Sequence, residues 1–468
     1  MTMAPDADRT PRCANVIGND WSSLVPDRDT SWAPSARVSI CIPTHNPGPG
    51  LARMLRCLDA QTYPADLIEI IIGDDRSEVP VGVPDGLRHH VSVVRCEHDL
   101  PFGAGVARHA AASAATGDIL MFLDADVIPE RHVVEAYARW FDRCPLVVPM
   151  GLCRFVETDA LSDDDLYRLV DDGTMARHFA EVTVDDQYYR ERRFELLDDL
   201  RTEAIDAFRV AIGATIAVSA EQYAQVGGFP TLGVRGAEDT TFGHRLHTNG
   251  AIFVLDRDAT HWHQGRRTLS DPATRERVNQ IRAPFLESLL PIGGFRGDEA
   301  PTDPPVEVVP TARVRVRGDD TEATRHSVEA VPDIDAVVTD TVLGDAFDPA
   351  FVQVDLPAGI RWSSATAKQI TTVFADHPVG VVKALVDGTE GEIITIARSR
   401  AIRRARLVRP DEEPTVVAGE LFGVWWVDAA TLSLVPFGQE STVDLAAASG
   451  WTSRLYDLVV AGLRRLAR

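Results

Sequence analysis

The stretch Asp118-Ile-Leu-Met-Phe-Leu-Asp-Ala-Asp126 carries the strongest structural signal in the sequence. Its apolar run from Ile119 to Leu123 predicts a strand that is buried on both faces of a sheet. Two carboxylates, Asp124 and Asp126, follow this run directly. Ligands of open α/β sheets bind beyond the carboxyl ends of the strands. The stretch therefore predicts a binding site as well as a strand.

The segments around this stretch alternate between strand-like and helix-like patterns. Short β-branched runs occupy residues 37–42 and 67–72, while helical spacing or an Ala-rich run occupies residues 51–58 and 104–116. This alternation predicts an α/β fold with a Rossmann-like, mostly parallel sheet that is covered on both faces. A second acidic pair, Asp74-Asp75, also follows a strand. We therefore expect both acidic pairs at one edge of the sheet.

The composition of the 468-residue chain limits its class of function. A formal net charge of −23 argues against nucleic acid as a partner, because phosphate backbones attract Lys/Arg surfaces. A nucleotide is still compatible with this net charge, because a bound divalent cation reverses the sign of the local charge. We find no signal peptide and no apolar run long enough to span a membrane. We therefore expect a cytoplasmic or peripheral protein whose cysteines are reduced and buried.

Changes in composition divide the chain into five predicted segments. A flexible, Pro/Asp-rich segment (1–35) precedes the large α/β domain (36–296), a linker (297–311), a smaller α/β domain (312–450) and a C-terminal amphipathic helix (451–468). Apolar residues lie along one side of this last helix, together with several arginines. It suits peripheral contact with the inner face of the cell membrane, but we slightly favour docking on its own domain.

The smaller domain resembles a degenerate repeat of the larger one. Ala36-Arg37-Val38 and Ala312-Arg313-Val314 begin the two copies, and Pro145 and Pro378 each follow a predicted helix and precede a Val-rich strand. Alignment on these prolines places Asp124 on Pro357 and Asp126 on Gly359. Residues 213–229 and 423–437 also resemble each other. The repeat predicts the same fold without metal ligands; the alternative is an unrelated small α/β domain.

The residue types after the strand at 119–123 suit a divalent metal. Asp124 and Asp126 offer oxygen ligands to Mn²⁺ or Mg²⁺, which would bridge a diphosphate. Imidazole is also a ligand for Mn²⁺-like metals, and the sequence offers His261 and His263. We expect only one of the two histidines to reach the metal. We prefer His263 and keep His261 as the alternative.

Three further groups of residues are candidates for nucleotide binding or catalysis. Glu238-Asp239 begins a predicted helix, where it serves either as general base or as helix cap. Pro43-Thr44 and Asp74-Asp75 end strands and suit a nucleoside, although an Asx-type turn before Ser77 is the alternative reading of the acidic pair. Arg108 begins the helix before the Asp124 strand and suits a phosphate, or else it is a solvated arginine.

Taken together, the motifs resemble those of the family 2 glycosyltransferases over residues 36–268. Trp262-His263-Gln264 is similar to the metal-binding histidine segment of the chondroitin-polymerase-like and polypeptide N-acetylgalactosaminyltransferase-like branches. The other matching motifs are Ile42-Pro43-Thr44-His45-Asn46, Gly73-Asp74-Asp75-Arg76-Ser77, Thr116-Gly117-Asp118 with Phe122-Leu-Asp-Ala-Asp126, and Gly227-Gly228-Phe229 with Gly236-Ala-Glu-Asp239.

The resemblance implies a GT-A fold and a metal-dependent enzyme. Such an enzyme moves a sugar from a nucleoside diphosphate sugar, by family habit a UDP-sugar, to a hydroxyl acceptor. Family 2 members invert the configuration, whereas the polypeptide N-acetylgalactosaminyltransferase-like branch retains it. No Q-x-x-R-W motif occurs, so a single-addition enzyme of cell-surface polysaccharide or glycolipid synthesis is favoured over a processive synthase. The implied roles are nucleoside contacts for Thr44 and Asp74, ribose or metal for Asp124, metal for Asp126 and His263, acceptor for Glu238 and base for Asp239.

Two other classes of function compete with this interpretation. A sugar nucleotidyltransferase uses a similar sheet, but it carries a Gly-rich basic loop where this sequence has Pro43-Thr-His-Asn46. A non-catalytic glycan- or nucleotide-binding protein would not need the full set of carboxylates and histidine. We therefore expect the glycosyltransferase.

Overall fold

The structure is a computed structural model that describes residues 13–27, 32–180, 183–186, 188–266, 268–296, 303–332, 334–340, 344, 346–387 and 391–438. Two large sheets organise the described chain, one before residue 265 and one after residue 311. The amphipathic helix predicted for residues 451–468 lies outside the described residues.

The first sheet contains nine strands. They are β1 (Val38–Thr44), β2 (Ile68–Asp74), β3 (His90–Arg95), β4 (Ile119–Phe122), β5 (Val127–Pro129), β6 (Val147–Val156), β7 (Thr183–Asp186), β8 (Ile216–Ser219) and β9 (Ile252–Gln264). Their order is β3-β2-β1-β4-β8-β6-β9-β5, with β7 paired to β6. All except β5, β7 and β8 run in one direction. The predicted α/β fold with a mostly parallel sheet is confirmed.

Nine helices accompany this sheet among the described residues. They are α1 (Pro49–Leu58), α2 (Ala104–Ser113), α3 (Val133–Phe141), α4 (Asp163–Asp171), α5 (Met175–Phe179), α6 (Tyr188–Leu196), α7 (Ala220–Gln225), α8 (Glu238–Thr248) and α9 (Pro272–Leu289). Along β1, Cys41 belongs to one apolar cluster, while Ile40 and Ile42 belong to another. Because side chains alternate across a strand, the sheet is buried on both faces.

The second sheet is smaller and contains six strands. They are β10 (Ala312–Arg317), β11 (Ala336–Val338), β12 (Val352–Pro357), β14 (Val381–Leu385), β15 (Ile393–Arg398) and β16 (Val424–Asp428), and a separate pair is β13 (Ile360–Arg361) with β17 (Val435–Pro436). The helices of this region are α10 (Glu322–Glu329), α11 (Thr366–Asp376), α12 (Ser399–Val408) and α13 (Pro414–Phe422).

The second sheet repeats the topology of the first. Its order β11-β10-β12-β15-β14-β16 corresponds strand by strand to β2-β1-β4-β8-β6-β9, and the sequence of parallel and antiparallel pairings is the same in both. The alignment on the two prolines places Ile119 on Val352 and Val127 on Ile360, which begin corresponding strands. The smaller region therefore has the fold predicted from the repeat.

One part of the predicted repeat is wrong. The sequence matched residues 213–229, which contain β8, with residues 423–437, which contain β16. In the structure β8 corresponds to β15, and β16 corresponds to β9. The error arises because apolar strands followed by a helical turn look alike in sequence, whereas strand order depends on long-range pairing.

The N-terminal segment is packed rather than flexible over residues 13–27. Val16, Trp21 and Leu24 are buried in the apolar core, and Cys13 forms a disulfide with Cys144 at the end of α3. The expectations of a flexible segment and of free thiols throughout are therefore corrected. The four other cysteines are free and buried, as predicted.

The described helices include none that is both long and apolar enough to cross a membrane.

Candidate active site

Three potential metal ligands meet at the carboxyl end of β4. Asp124, Asp126 and His263 each present one ligand atom, and these atoms all lie within 4.8 Å of one another. The β5–β9 pairing sets His263 opposite Val127, the residue after Asp126. His263 Nε2 lies 3.4 Å from Asp126 Oδ1, and its ring stacks on Phe155. Two carboxylates and one imidazole form a donor set that fits Mn²⁺ or Mg²⁺.

His261, the alternative metal ligand, is not part of this cluster. Its side chain is fully buried beside Tyr137, and the carbonyl of Leu152 lies 3.3 Å from its Nδ1. Burial lowers the pKa of His261 to about 3, so the ring is neutral. The structure thus brings His263 to the two aspartates and places His261 in the core.

Asp239 lies beside the metal cluster because one arginine joins them. Arg108 Nη1 donates to Asp239 Oδ1 at 2.9 Å, and Nη2 donates to Asp124 Oδ1 at 2.6 Å. A single guanidinium group therefore bridges the two carboxylates. Arg108 is nearly buried and contacts the ring of Phe229. A side chain on Gly213 would collide with the guanidinium, since its Cβ would lie 2.3 Å from Cζ.

These contacts show that Arg108 is not a solvated arginine, and its contact with a phosphate stays a prediction. Both terminal nitrogens of its guanidinium are paired with carboxylates of the site. The residue is therefore placed to hold Asp124 and Asp239 in position.

Asp239 and its neighbour Glu238 occupy the first turn of α8 without capping it. Glu238 Oε2 accepts a hydrogen bond from Gly236 N at 2.6 Å, and no side chain caps the helix. Burial raises the pKa of Glu238 to about 7 and also raises the pKa of Asp239, while Arg108 opposes both shifts. A carboxylate with a raised pKa is a better proton acceptor, so this geometry fits a general base better than a cap.

The acidic pair after β2 is turned toward the protein. Asp74 accepts hydrogen bonds from Ser77 N and Arg95 Nη1, both at 2.9 Å. Asp75 Oδ1 lies 2.7 Å from His98 Nε2, and Oδ2 accepts from Gly103 N. The Ser77 contact is the Asx-type turn that was the alternative reading. These carboxylates fix the loop conformation, and their contact with a ribose stays a prediction.

Pro43 and Thr44 lie where the sequence predicted, at the end of β1. Thr44 pairs in register with Asp74 of the neighbouring parallel strand, and Asp75 N donates to Thr44 O at 2.8 Å. Both residues are buried in the sheet. They therefore lie at the edge of the sheet, beneath the loops that carry the acidic residues.

Sequence reasoning missed a basic residue at this site. Arg235 is exposed in the loop before α8 and lies near enough to Asp126 to affect its pKa. Burial raises that pKa, and His263 and, more weakly, Arg235 oppose the shift. The available signal was an arginine between Gly233 and Gly236, which both have positive φ.

Comparison with known families fits this geometry. The family model described as glycosyl transferase family 2 matches residues 39–201. This part of the chain belongs to glycosyl transferase family 2. The matched range includes β1, β2, β4 and the Asp124-x-Asp126 motif of the family 2 domain. The strand order described above is consistent with the α/β fold predicted from the sequence.

Curated relatives of the family 2 domain are also glycosyltransferases by name. The chain is 33% identical over 104 residues to the pre-mycofactocin glycosyltransferase of Mycobacterium tuberculosis, which covers 22% of this chain and 21% of that protein. It is 24% identical over 267 residues to the chondroitin synthase of Escherichia coli, which covers 54% of this chain and 38% of that protein. The matches thus span well under half of each relative.

Solved structures resemble the family 2 domain at low identity. Residues 1–349 of S. aureus TarS in complex with UDP-GlcNAc share 14% identity and a TM-score of 0.37, over 54% of this chain and 67% of that chain. The mannosyltransferase PcManGT from Pyrobaculum calidifontis, in complex with GDP-Man and Mn²⁺, shares 19% identity and a TM-score of 0.33, over 59% and 67%. Both TM-scores are below 0.5, so the assignment of the fold depends on the strand order described above.

Proposed function

We propose that this chain transfers a sugar from a nucleoside diphosphate sugar to an acceptor hydroxyl, with help from a divalent cation. The observation that carries the proposal is the convergence of Asp124, Asp126 and His263 on one point beside Asp239. A binding protein has no need of a partly buried carboxylate with a raised pKa next to a metal-type ligand set.

The residues divide the work as follows. Asp239 would accept the proton of the acceptor hydroxyl, whose oxygen attacks the anomeric carbon as the bond to the diphosphate breaks. Asp124, Asp126 and His263 would hold Mn²⁺ or Mg²⁺. The ion would supply positive charge to the leaving diphosphate. Arg108 would hold Asp239 and Asp124 in position relative to each other.

Attack from the side of a single base supports an inverting transfer. We propose a UDP-sugar as donor, with Pro43 and Thr44 beneath the nucleoside and with Asp74 and Asp75 shaping the loop around it. The acceptor belongs to a cell-surface polysaccharide or glycolipid in this proposal. We place the reaction in the cytoplasm, and residues 451–468 are our candidate for peripheral membrane contact.

The test is a donor panel with matched variants. Nucleoside diphosphate release and donor binding are measured for UDP-, GDP- and TDP-sugars with Mn²⁺, in wild type, Asp126→Asn and Pro357→Ala. Pro357 occupies the position of Asp124 in the second sheet, so its variant controls for general damage. We expect one donor to bind and react, with loss of both in EDTA and in Asp126→Asn only.

Product analysis separates the competing functions. A transferred sugar supports the proposal. Released pyrophosphate would instead identify a nucleotidyltransferase, and the absence of both binding and turnover with every donor would leave a non-catalytic protein.

A further inference from the structure

A small cavity lies between the two sheets, and its lining residues do not include Asp124, Asp126, Asp239 or His263. His244 and His247 of α8 line it from the first region, and Arg398 and Arg400 at the start of α12 line it from the second. Phe351 forms part of its apolar wall. The enclosed part of the cavity has room for roughly one water-sized particle.

The charge around this cavity is unbalanced. Arg398, Arg400 and Arg404 are all buried, and Glu203 is the one carboxylate that pairs with them among the described residues. Arg398 Nη2 and Arg400 Nε donate to Glu203 Oε1 at 2.9 and 3.2 Å. Arg404 donates instead to backbone carbonyls, including that of Ala251. Three guanidinium groups thus share one negative charge, which is unfavourable in a buried region.

Several hydrogen-bond donors at the cavity have no partner. Arg398 Nε and Nη1 and His244 Nδ1 are buried without a hydrogen bond among the described residues. The hydroxyl of Thr248 lies 3.4 Å from His244 Nε2. If that hydroxyl donates, the ring proton of His244 is on Nδ1, the unpartnered atom. Buried polar groups are normally hydrogen-bonded, so these donors indicate a missing acceptor.

We propose that this cavity is a binding site for a small inorganic anion of the halide class. Such an anion would accept the free N–H groups of Arg398 and of His244, and it would offset part of the excess positive charge. The aromatic wall and the small enclosed space favour a weakly hydrated monatomic anion over an oxyanion. The anion joins α8 to α12 and therefore stabilises the contact between the two sheets.

Bromide tests the proposal on the wild-type protein. Crystals grown in sodium bromide are measured at the bromine absorption edge, and thermal unfolding is followed while bromide replaces gluconate at constant ionic strength. We expect an anomalous peak in contact with Arg398 and His244, and a saturable rise in unfolding temperature. A cavity that contains water in the bromide crystals, or an unfolding temperature that is independent of bromide, overturns the proposal.

A variant pair links the effect to the cavity. Arg398→Met removes the charge and the free donors, whereas Arg361→Met removes an exposed arginine from the same region. We expect the half-saturating bromide concentration to rise about tenfold or more in Arg398→Met, in line with the loss of charge-assisted hydrogen bonds. Arg361→Met keeps the wild-type value. Equal bromide dependence in both variants contradicts the proposed site, and the wild-type crystals decide the matter if Arg398→Met does not fold.

Discussion

The two sheets of this molecule share one strand order but differ at the edge where β4 and β12 end. In the first sheet Asp124, Asp126 and His263 converge there. In the second, Pro357 and Gly359 occupy the positions of the aspartates. The β13–β17 pairing sets Pro436 opposite Ile360, as β5–β9 sets His263 opposite Val127. The same backbone arrangement thus exists with and without metal-type ligands.

This difference separates the requirements of folding from those of chemistry. Apolar strands and parallel pairing are present in both regions, so they belong to the fold. Carboxylates at the strand ends are needed only for ligand binding. The first turns of the corresponding helices show the same contrast. Asp239 is paired with a buried arginine at the start of α8, whereas Glu413 caps the start of α13.

The largest effect is expected at the proposed base. Asp239→Asn should lower the turnover rate by about 10²–10⁴-fold, because the amide does not accept the hydroxyl proton. Thr415→Ala changes the corresponding second residue of α13 and should leave the rate unchanged. Initial rates of diphosphate release with saturating donor compare the two. Equal rates in both variants would remove Asp239 from the mechanism.

The pH dependence of the wild-type rate follows from the same residue. Burial raises the pKa of Asp239, and a base must be deprotonated to act. Activity should therefore fall with decreasing pH at a value above the ordinary range of an aspartate. A rate that stays constant down to that ordinary range argues against Asp239 as the titrating base.

The next effect concerns the contact between the sheets. Glu203→Gln should lower the free energy of unfolding by about 3–5 kcal/mol, because it leaves buried arginines without their carboxylate. The control, Glu392→Gln, removes a surface partner of Arg317 and should cost at most about 1 kcal/mol. Denaturant unfolding measures both. Similar losses would show that the buried pairing adds nothing to stability.

The Glu203 effect should also depend on pH. Burial acts to raise the pKa of Glu203, but Arg400 and Arg398 outweigh it and hold the pKa below its usual value. A carboxyl group whose pKa is lower in the folded chain stabilises that chain above the unfolded pKa. The contribution is lost as the pH falls through the folded pKa. The difference between wild type and Glu203→Gln should therefore shrink in acid, and a constant difference would contradict the ion pair.

A smaller effect is expected from the disulfide, which lies entirely in the first region. Removing the Cys13–Cys144 bond with a Cys13→Ala/Cys144→Ala variant should lower stability by about 2–4 kcal/mol, since the unfolded chain gains conformational freedom. A reducing agent should lower the unfolding temperature of wild type and leave that of the variant unchanged. Insensitivity of the wild type to reduction would mean that the bond does not form in solution.

The smallest effect is expected at the cap of α13. Glu413→Ala should cost about 0.5–1 kcal/mol, because Glu413 accepts the Thr415 N–H at the helix start. The transfer rate should not change. A reduced rate in this variant would mean that the second region contributes to the reaction, and the contrast between the two helix starts would then need revision.

Local pattern was sufficient for the strands and for the adjacent ligands. Asp124 and Asp126 are two positions apart, so the strand before them places both at the sheet edge whatever the rest of the chain does. Choosing between His261 and His263 required the β5–β9 register, because it sets His263 opposite Val127, next to Asp126, and His261 opposite Pro129. The pairing of Arg108 with Asp124 and Asp239 was not predicted, because sequence does not show which carboxylates a helix faces.

Composition and periodicity thus establish the α/β class, the repeat and the acidic edge, since these depend on residues close together in the chain. Tertiary structure establishes the arginine between Asp124 and Asp239, the Cys13–Cys144 bond and the charged cavity between the sheets. Those features join residues far apart in sequence. Their partners are set by strand order and helix packing, which local residue patterns do not encode.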